Sequence, residues 1–446
     1  MNEYEFREFL KGKQLSETSI DHYCSYVWSI VRSYDLESWD EIVETKKKTL
    51  EYIKNLINSP MSLPVPSAKC YRRALCLLYE YKFKQEFDKG EFPKWTSEDN
   101  AALRREYEKN HPAPENPQWY QEIIVENPHN WLGFITAING NGVSGVRSWA
   151  FRGQGDAEWE LETSLGRSAH YEKGENHTKG DWLRLFEKET MWEFKRESAK
   201  RPEYRGFDGM NLLSLVQHYG GKTRLLDFSL APLLALYMAV EQNEADFTKV
   251  HGYGGLDERT KKKLKRRDIA VWAIDLSRIT TPLGCSESCK ERTVKDIFFE
   301  AERFLENMDD GDEKGVYAIF PQTCNERISA QDGLFLMPKS LDFSFEKNLR
   351  EEVLRTNGPE RTFQRLYLSE CDPTFMENKN EVPVIIKFVF PVIMGKVLKL
   401  ESVKRLLAEA NVTAKHVYPD LTGLGRYVSN IIEEHCQKMD SKEEIK

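Results

Sequence analysis

The sequence of 446 residues lacks several features that mark special classes of protein. It has no run of the roughly 18 apolar residues that a membrane-spanning helix needs, and its N-terminus is charged from the start instead of opening on an apolar leader. It also lacks net positive charge: the formal net charge is −8, which excludes the chain as a whole as an electrostatic binder of nucleic acid. We therefore expect no membrane association and a cytoplasmic location.

Regularly paired cysteines are also missing. The eight cysteines are scattered, which predicts reduced thiols in an intracellular protein and not a disulfide framework. Cys285 and Cys289 have the spacing of metal ligands, but a structural zinc site needs four ligands and no second pair follows. No metal site is predicted.

What the sequence does contain is typical of a well-packed folded protein. Hydrophobic residues make up 40%, and aromatic residues reach 12%, whereas disordered chains have few aromatics. One basic run, 261–267 (KKKLKRR), is predicted to be a solvated loop, with a phosphate-contacting loop as the alternative.

Residues 1–90 are predicted to form a four-helix bundle. Apolar residues recur at helical spacing in four stretches, as at Ile20, Tyr23 and Val27, and a Pro-containing break at 59–66 precedes the last stretch. Residues 91–117 are polar and rich in proline, which predicts a linker with an exposed helix in it.

The segments FREFLKGKQLSETSIDHYCSYVWSIVRSYD and YRRALCLLYEYK of this bundle resemble the N-terminal core-binding domain of tyrosine recombinases. That module is a four-helix DNA clamp, so the resemblance implies DNA contact, while a bundle that docks a partner protein is the alternative. The recombinase catalytic residues have no counterpart, and recombinase activity does not carry over.

Beyond the linker, helical stretches alternate with short strands, which predicts an α+β domain over 118–432, followed by a polar tail at 433–446. Strands are predicted at Ser148–Arg152, Ala270–Asp275, Val316–Phe320, Leu334–Met337 and Val384–Phe390. Helices are predicted at Asp181–Lys195, Leu212–His218 and Pro232–Val240.

Three polar clusters of this domain are candidate sites. In the first, Arg152 leaves a strand into the turn Gly153-Gln154-Gly155. A guanidinium suits a phosphate or carboxylate, and glycines let a ligand approach the backbone. An arginine that pairs with a core carboxylate would give the same pattern.

The second cluster, 217–229, holds His218, Tyr219, Arg224, Asp227 and Ser229 around a Leu-Leu pair. Ser229 precedes a helix that starts near a proline, and the free N–H groups of a helix start can bind an anion. A structural histidine is the alternative for His218.

In the third cluster, Gln331 precedes a strand that begins Gly-Leu-Phe. Its amide is suited to orient an amide or a ribose hydroxyl. The alternative is a glutamine that ties down the strand edge.

Together the motifs resemble the FRG family, named for its Phe-Arg-Gly motif. The resemblance runs through Phe151-Arg152-Gly153-Gln154, the block at 217–237, the A-Q-x-G-x-F motif at 330–335 and the segment 418–424. It implies a bacterial defence or toxin-like effector. One departure is Gly221-Lys222, where family members commonly have a small apolar residue and proline.

The order of Arg152, Ser229 and Gln331 also resembles ADP-ribosyltransferases of the Arg–Ser–Glu class. That resemblance implies NAD as co-substrate, transfer to a protein or nucleic-acid target, and a partner protein that neutralises the toxin. It assigns catalytic roles to Arg152, His218, Asp227, Ser229 and Gln331, and NAD binding to Arg152, Gly153, Gln154, Tyr219 and Arg224. The departure is Gln331 in the place of a glutamate, because glutamine cannot stabilise positive charge; Asp332 or Asp227 would have to do so.

Two alternatives remain beside the transferase. The first is a non-catalytic module that binds nucleic acid or another ligand in a defence system. The second is hydrolysis through His218 and Asp227, which no metal-ligand cluster or nucleophile–base spacing supports.

Overall fold

The computed structural model describes most of the chain. The described residues are 3–34, 36–57, 65–91, 96–112, 119–140, 149–168, 179–243, 267–276, 279, 314–320, 326–357, 363, 365–368, 383–394, 397–421, 423–429 and 432. Cys285, Cys289, the tail 433–446 and nearly all of the basic run lie outside them.

The N-terminal helices share one hydrophobic core. Their bounds are α1 Glu3–Gly12, α2 Glu17–Ser33, α3 Trp39–Ile42, α4 Lys46–Asn55 and α5 Val65–Phe83. The single turn α3 is an addition to the four helices predicted from sequence. Its start is fixed by a capping box, in which the Glu41 carboxylate accepts from the Ser38 backbone N–H at 3.0 Å. Trp39 then packs edge-on against Phe6, with ring centroids 5.6 Å apart.

The predicted linker contains α6, Ser97–Asn110, and this helix is not simply exposed as predicted. Its Tyr107 is 2% exposed and donates a hydrogen bond of 2.8 Å to the buried carboxylate of Asp268. His111, just after the helix, lies 3.0 Å from the same Asp268 oxygen. The linker prediction missed this because Asp268 is far away in sequence.

A mixed sheet of eight strands forms the centre of the second part, in the order β5-β6-β3-β2-β4-β8-β1-β7. Strand β1 pairs in parallel with β8 on one side and with β7 on the other. The remaining pairs of this sheet are antiparallel. The bounds are β1 Gln121–Ile124, β2 Trp149–Gln154, β3 Leu226–Ser229, β4 Ile269–Asp275, β5 Val316–Ile319, β6 Gly333–Pro338, β7 Leu366–Tyr367 and β8 Ile385–Phe390, with β9 Ile393–Met394 and β10 Val397–Leu398 as a separate ribbon.

Helices cover both faces of the sheet, which is why its strands are buried almost throughout. The helices of this part are α7 Pro128–Gly140, α8 Lys179–Ser198, α9 Gly209–His218, α10 Pro232–Gln242, α11 Glu326–Ala330, α12 Phe345–Asn357, α13 Leu400–Glu409 and α14 Ala414–Val417. The core that includes Phe151 receives α7, α10 and α13, and the core that includes Trp272 receives α12.

The α+β fold class is confirmed. Strands β2, β4, β5, β6 and β8 and helices α8, α9 and α10 match their predicted positions within a few residues. No helix among the described residues is long and apolar enough to cross a membrane.

Candidate functional site

A cavity of about 180 Å³ lies where β2, β3, α9, α10, α11 and the segment after α14 meet. Its walls are formed by Phe151, Arg152, Gly153, Ser214, Gln217, His218, Asp227, Phe228, Ser229, Met238, Gln242, Arg327, Ile328, Gln331, Phe335 and Tyr418. All three polar clusters of the sequence therefore contribute to one cavity. Its volume is below the ~300–1,000 Å³ typical of small-molecule pockets.

Arg152 is a largely buried charge on the cavity wall, with a side chain that is 16% exposed. Among the described residues, β2 and β3 share a single register pair, Phe151 with Ser229, and the Arg152 side chain reaches the neighbouring backbone of β3. One guanidinium nitrogen, Nη1, donates to the Asp227 carbonyl oxygen at 2.8 Å and lies 4.0 Å from the Asp227 carboxylate.

The Nε of Arg152 is buried and has no hydrogen-bond partner among the described residues. Burial lowers the pKa of this guanidinium, and the nearby Asp227 carboxylate opposes that shift. A buried N–H donor without a partner is costly, so an anionic ligand that accepts from it would be stabilised.

Ser229 and Gln331 are linked to each other. The Ser229 hydroxyl donates to the Gln331 backbone carbonyl at 2.6 Å, and it accepts from the Ala231 N–H at 2.9 Å at the start of α10. The Gln331 side chain in turn donates from Nε2 to the Val417 carbonyl at 3.0 Å. These bonds join the ends of β3, α11 and α14 around the cavity.

In the comparison with protein-family models, the FRG domain matches residues 147–247. The chain contains an FRG domain. The matched residues include β2, α8, α9, β3 and α10, and therefore the cavity residues Arg152, His218, Asp227 and Ser229. Neither the curated proteins nor the solved structures contain a match. The family match does not reach the N-terminal helices, so their resemblance to a recombinase core-binding domain stays a prediction.

The glycines of the FRG motif serve the packing of the FRG domain. A Cβ on Gly153 would lie 1.9 Å from the Ala235 carbonyl oxygen, and a Cβ on Gly155 would lie 2.6 Å from the Gln242 carbonyl carbon. Both glycines thus let α10 approach β2. From the sequence, we predicted that these glycines let a ligand approach the backbone. The structure instead places the backbone of a helix against each of them.

Gln154, predicted to bind NAD, is 4% exposed and does not line the cavity of the FRG domain. Its Oε1 accepts from the Trp272 indole N–H at 2.6 Å, and its Nε2 donates to the Glu160 carbonyl at 3.2 Å. Both ends of the amide are therefore bonded to protein.

Arg224 and Tyr219, the other predicted NAD ligands, also lie off the cavity wall. Arg224 is buried in an ion pair with Glu187, with 2.6 Å between Nε and Oε2. Tyr219 is 53% exposed, and its hydroxyl is 2.6 Å from the Tyr204 hydroxyl. The structure thus brings together Arg152, Gly153, His218, Asp227, Ser229 and Gln331 and leaves Gln154, Tyr219 and Arg224 apart.

His218 contributes a half-buried imidazole at the end of α9. Burial lowers its pKa, the charge of Arg327 lowers it further, and Asp420 opposes both effects. We therefore expect a neutral imidazole at pH 7. Within the described part of the FRG domain, no group of three or more histidine, cysteine or acidic side chains could hold a metal ion.

Arg327 and Tyr418 are cavity residues that the sequence reasoning did not select. The Arg327 guanidinium lies over the Tyr418 ring, 4.8 Å from its centroid. Tyr418 begins the segment 418–424, which resembles the family, and Arg327 lies just before the A-Q-x-G-x-F motif at 330–335. The signal in the sequence that could have identified Arg327 was its position, as a basic residue, next to a recognised motif.

Proposed function

We propose that the FRG domain binds NAD, with its phosphates at Arg152, and transfers ADP-ribose to a macromolecule. The observation that carries the proposal is the Arg152 guanidinium at the cavity, whose Nε is buried and has no hydrogen-bond partner among the described residues. Arginine is the side chain best suited to hold phosphate oxygens in a fixed geometry.

The charges of the cavity wall favour an anionic ligand. Arg152 and Arg327 are cationic, and Asp227 is the only acidic side chain among the described lining residues. Asp227 is also the candidate to stabilise the positive charge that develops at the ribose, since the Gln331 amide cannot stabilise it. Its side chain is 57% exposed, so it can reorient towards a ligand.

In the proposed reaction the bond between nicotinamide and the ribose C1′ breaks, and the bonding electrons leave with nicotinamide. A nucleophile of the acceptor forms the new bond at C1′ and releases its proton. Such chemistry would suit a toxin-like effector in bacterial defence that a partner protein neutralises.

The test is incubation of the full-length protein with labelled NAD and a cell lysate that contains protein and nucleic acid. We expect label on a macromolecule, and loss of that label with Arg152→Ala and Arg152→Lys. Arg196→Ala is the matched control, because Arg196 is exposed and lies outside the cavity. Transfer at the original rate by a folded Arg152→Ala variant would refute the proposal.

A second candidate is nucleotide binding without transfer. The observation in its favour is Gln331, whose amide stands where the transferase class has a carboxylate and donates to the Val417 carbonyl. NAD binding that depends on Arg152, with no transfer to any lysate component, would select this function. A DNA- or RNA-binding role of the N-terminal bundle is tested separately by a salt titration of gel shifts.

A further inference from the structure

Arg327 has no role in the reaction described above, yet a neighbouring side chain holds its guanidinium in place. Its guanidinium lies over the Tyr418 ring, and the guanidinium of Arg426 lies 4.6 Å from the centroid of the same ring. Cation–π contacts of this kind orient a guanidinium without neutralising its charge.

A carboxylate anchors this arrangement on the side of α10. Glu241 accepts from the Tyr418 hydroxyl through one oxygen, and from Arg426 Nη1 at 2.9 Å through the other. Arg426 is thus paired with a carboxylate. Arg327, by contrast, has no carboxylate within 4.0 Å of its guanidinium among the described residues.

The cavity wall therefore holds two guanidiniums, Arg152 on β2 and Arg327 on α11. Among the described residues, Arg152 keeps an Nε–H without a partner and Arg327 has no carboxylate partner. Two guanidiniums on one wall can hold two neighbouring phosphates, one each, through charge-assisted hydrogen bonds. The Asp227 carboxylate offsets one of the two positive charges, which leaves the wall cationic.

We propose that Arg327 is a second phosphate-binding residue, that the Glu241–Tyr418–Arg426 cluster positions it, and that the site selects ligands with a diphosphate over those with a monophosphate. The inference deepens the proposed function, on which it rests for the nucleotide nature of the ligand. It assigns Tyr418 and Arg426, which lie beyond the region matched by the family model, to the binding site.

The experiment is calorimetric titration of the full-length protein with ADP and with AMP, neither of which can donate ADP-ribose. We expect ADP to bind about 10- to 100-fold more tightly than AMP, the value of one charge-assisted contact. Arg327→Ala should remove most of this preference by weakening ADP alone. Arg196→Ala is the matched control, because Arg196 also lies on an aromatic ring, 5.2 Å from the Trp192 centroid, but outside the cavity.

Tyr418→Phe separates positioning from folding. It keeps the ring under Arg327 and loses the bond to Glu241, so we expect a smaller loss of ADP preference than with Arg327→Ala. Equal binding of ADP and AMP by the wild type, no measurable ADP binding, or an unchanged preference in Arg327→Ala would each overturn the inference. ADP preference without transfer of label would leave the inference standing and refute the transferase, and transfer without ADP preference would do the reverse.

Discussion

The ion pair between Arg224 and Glu187 offers a test of which polar residues of the FRG domain serve its fold. Both side chains are 1% exposed. The second Glu187 oxygen accepts from the Arg224 backbone N–H at 3.1 Å, so one carboxylate satisfies two donors. Removing one member of a buried pair leaves the other charge uncompensated, which costs about 3–5 kcal/mol. We expect Arg224→Met to lower the free energy of unfolding by that amount.

The double variant Arg224→Met/Glu187→Leu distinguishes the cost of an uncompensated buried charge from the cost of lost packing. Replacing both partners by apolar side chains of similar volume is close to neutral, so the double variant should recover most of the loss. About 1 kcal/mol should remain missing, because the Arg224 N–H loses its acceptor. Urea denaturation measures these differences, and the coupling between the two substitutions gives the interaction directly.

The control is Arg196→Met, which removes an exposed arginine from the same helix that carries Glu187. Exposed ion pairs contribute about 0–1 kcal/mol, so its stability should hardly change. NAD and ADP affinities should stay unchanged in every folded variant. Unchanged stability of Arg224→Met together with weaker ligand binding would refute the structural role and restore Arg224 as a ligand residue.

Three further predictions concern other parts of the molecule. Gly153→Ala should destabilise the protein by about 1–3 kcal/mol or more in urea denaturation, since the added Cβ meets backbone atoms of α10 that cannot move aside. Burial raises the pKa of Asp268 to about 6, so the stabilisation from its protonated form is present below pH ~4 and lost as the pH rises through about 6. The free energy of unfolding, measured from pH 4 to 7, should therefore fall by ~3 kcal/mol. Asp268→Asn should flatten this pH dependence. Gln331→Glu should destabilise the protein by about 1–3 kcal/mol in urea denaturation, because a carboxylate oxygen would face the Val417 carbonyl, and unchanged stability would contradict this.

The sequence allowed prediction of the elements with strong local signals. Strands such as Ile269–Asp275 and helices such as Pro232–Gln242 follow from apolar runs and from the placement of proline. Strand β1 was missed because four residues after a proline-rich linker show no clear period. The order of the eight strands depends on pairings between distant segments, which no local pattern contains.

For the candidate site, the sequence identified polar residue types in Gly-rich settings but could not separate ligand residues from structural ones. Arg152 and Arg224 look alike as arginines beside glycine-containing turns, yet Arg152 lies on the cavity wall while Arg224 is paired with Glu187 away from it. The difference is set by a glutamate on α8. The contact of Arg327 with Tyr418 likewise joins segments far apart in the chain.

The three residues of the FRG motif act as one structural unit with divided tasks. Phe151 is 1% exposed in the core shared with α10, and its register pair with Ser229 fixes where β2 meets β3. Gly153 lets the backbone of α10 pack directly on β2. Arg152, between them, is thereby held with its guanidinium at the cavity and against the carbonyl of Asp227. A motif of this kind requires the phenylalanine and the glycine for position and the arginine for chemistry, so substitutions of the first two should lower stability and ligand binding together, whereas Arg152→Lys should lower binding far more than stability.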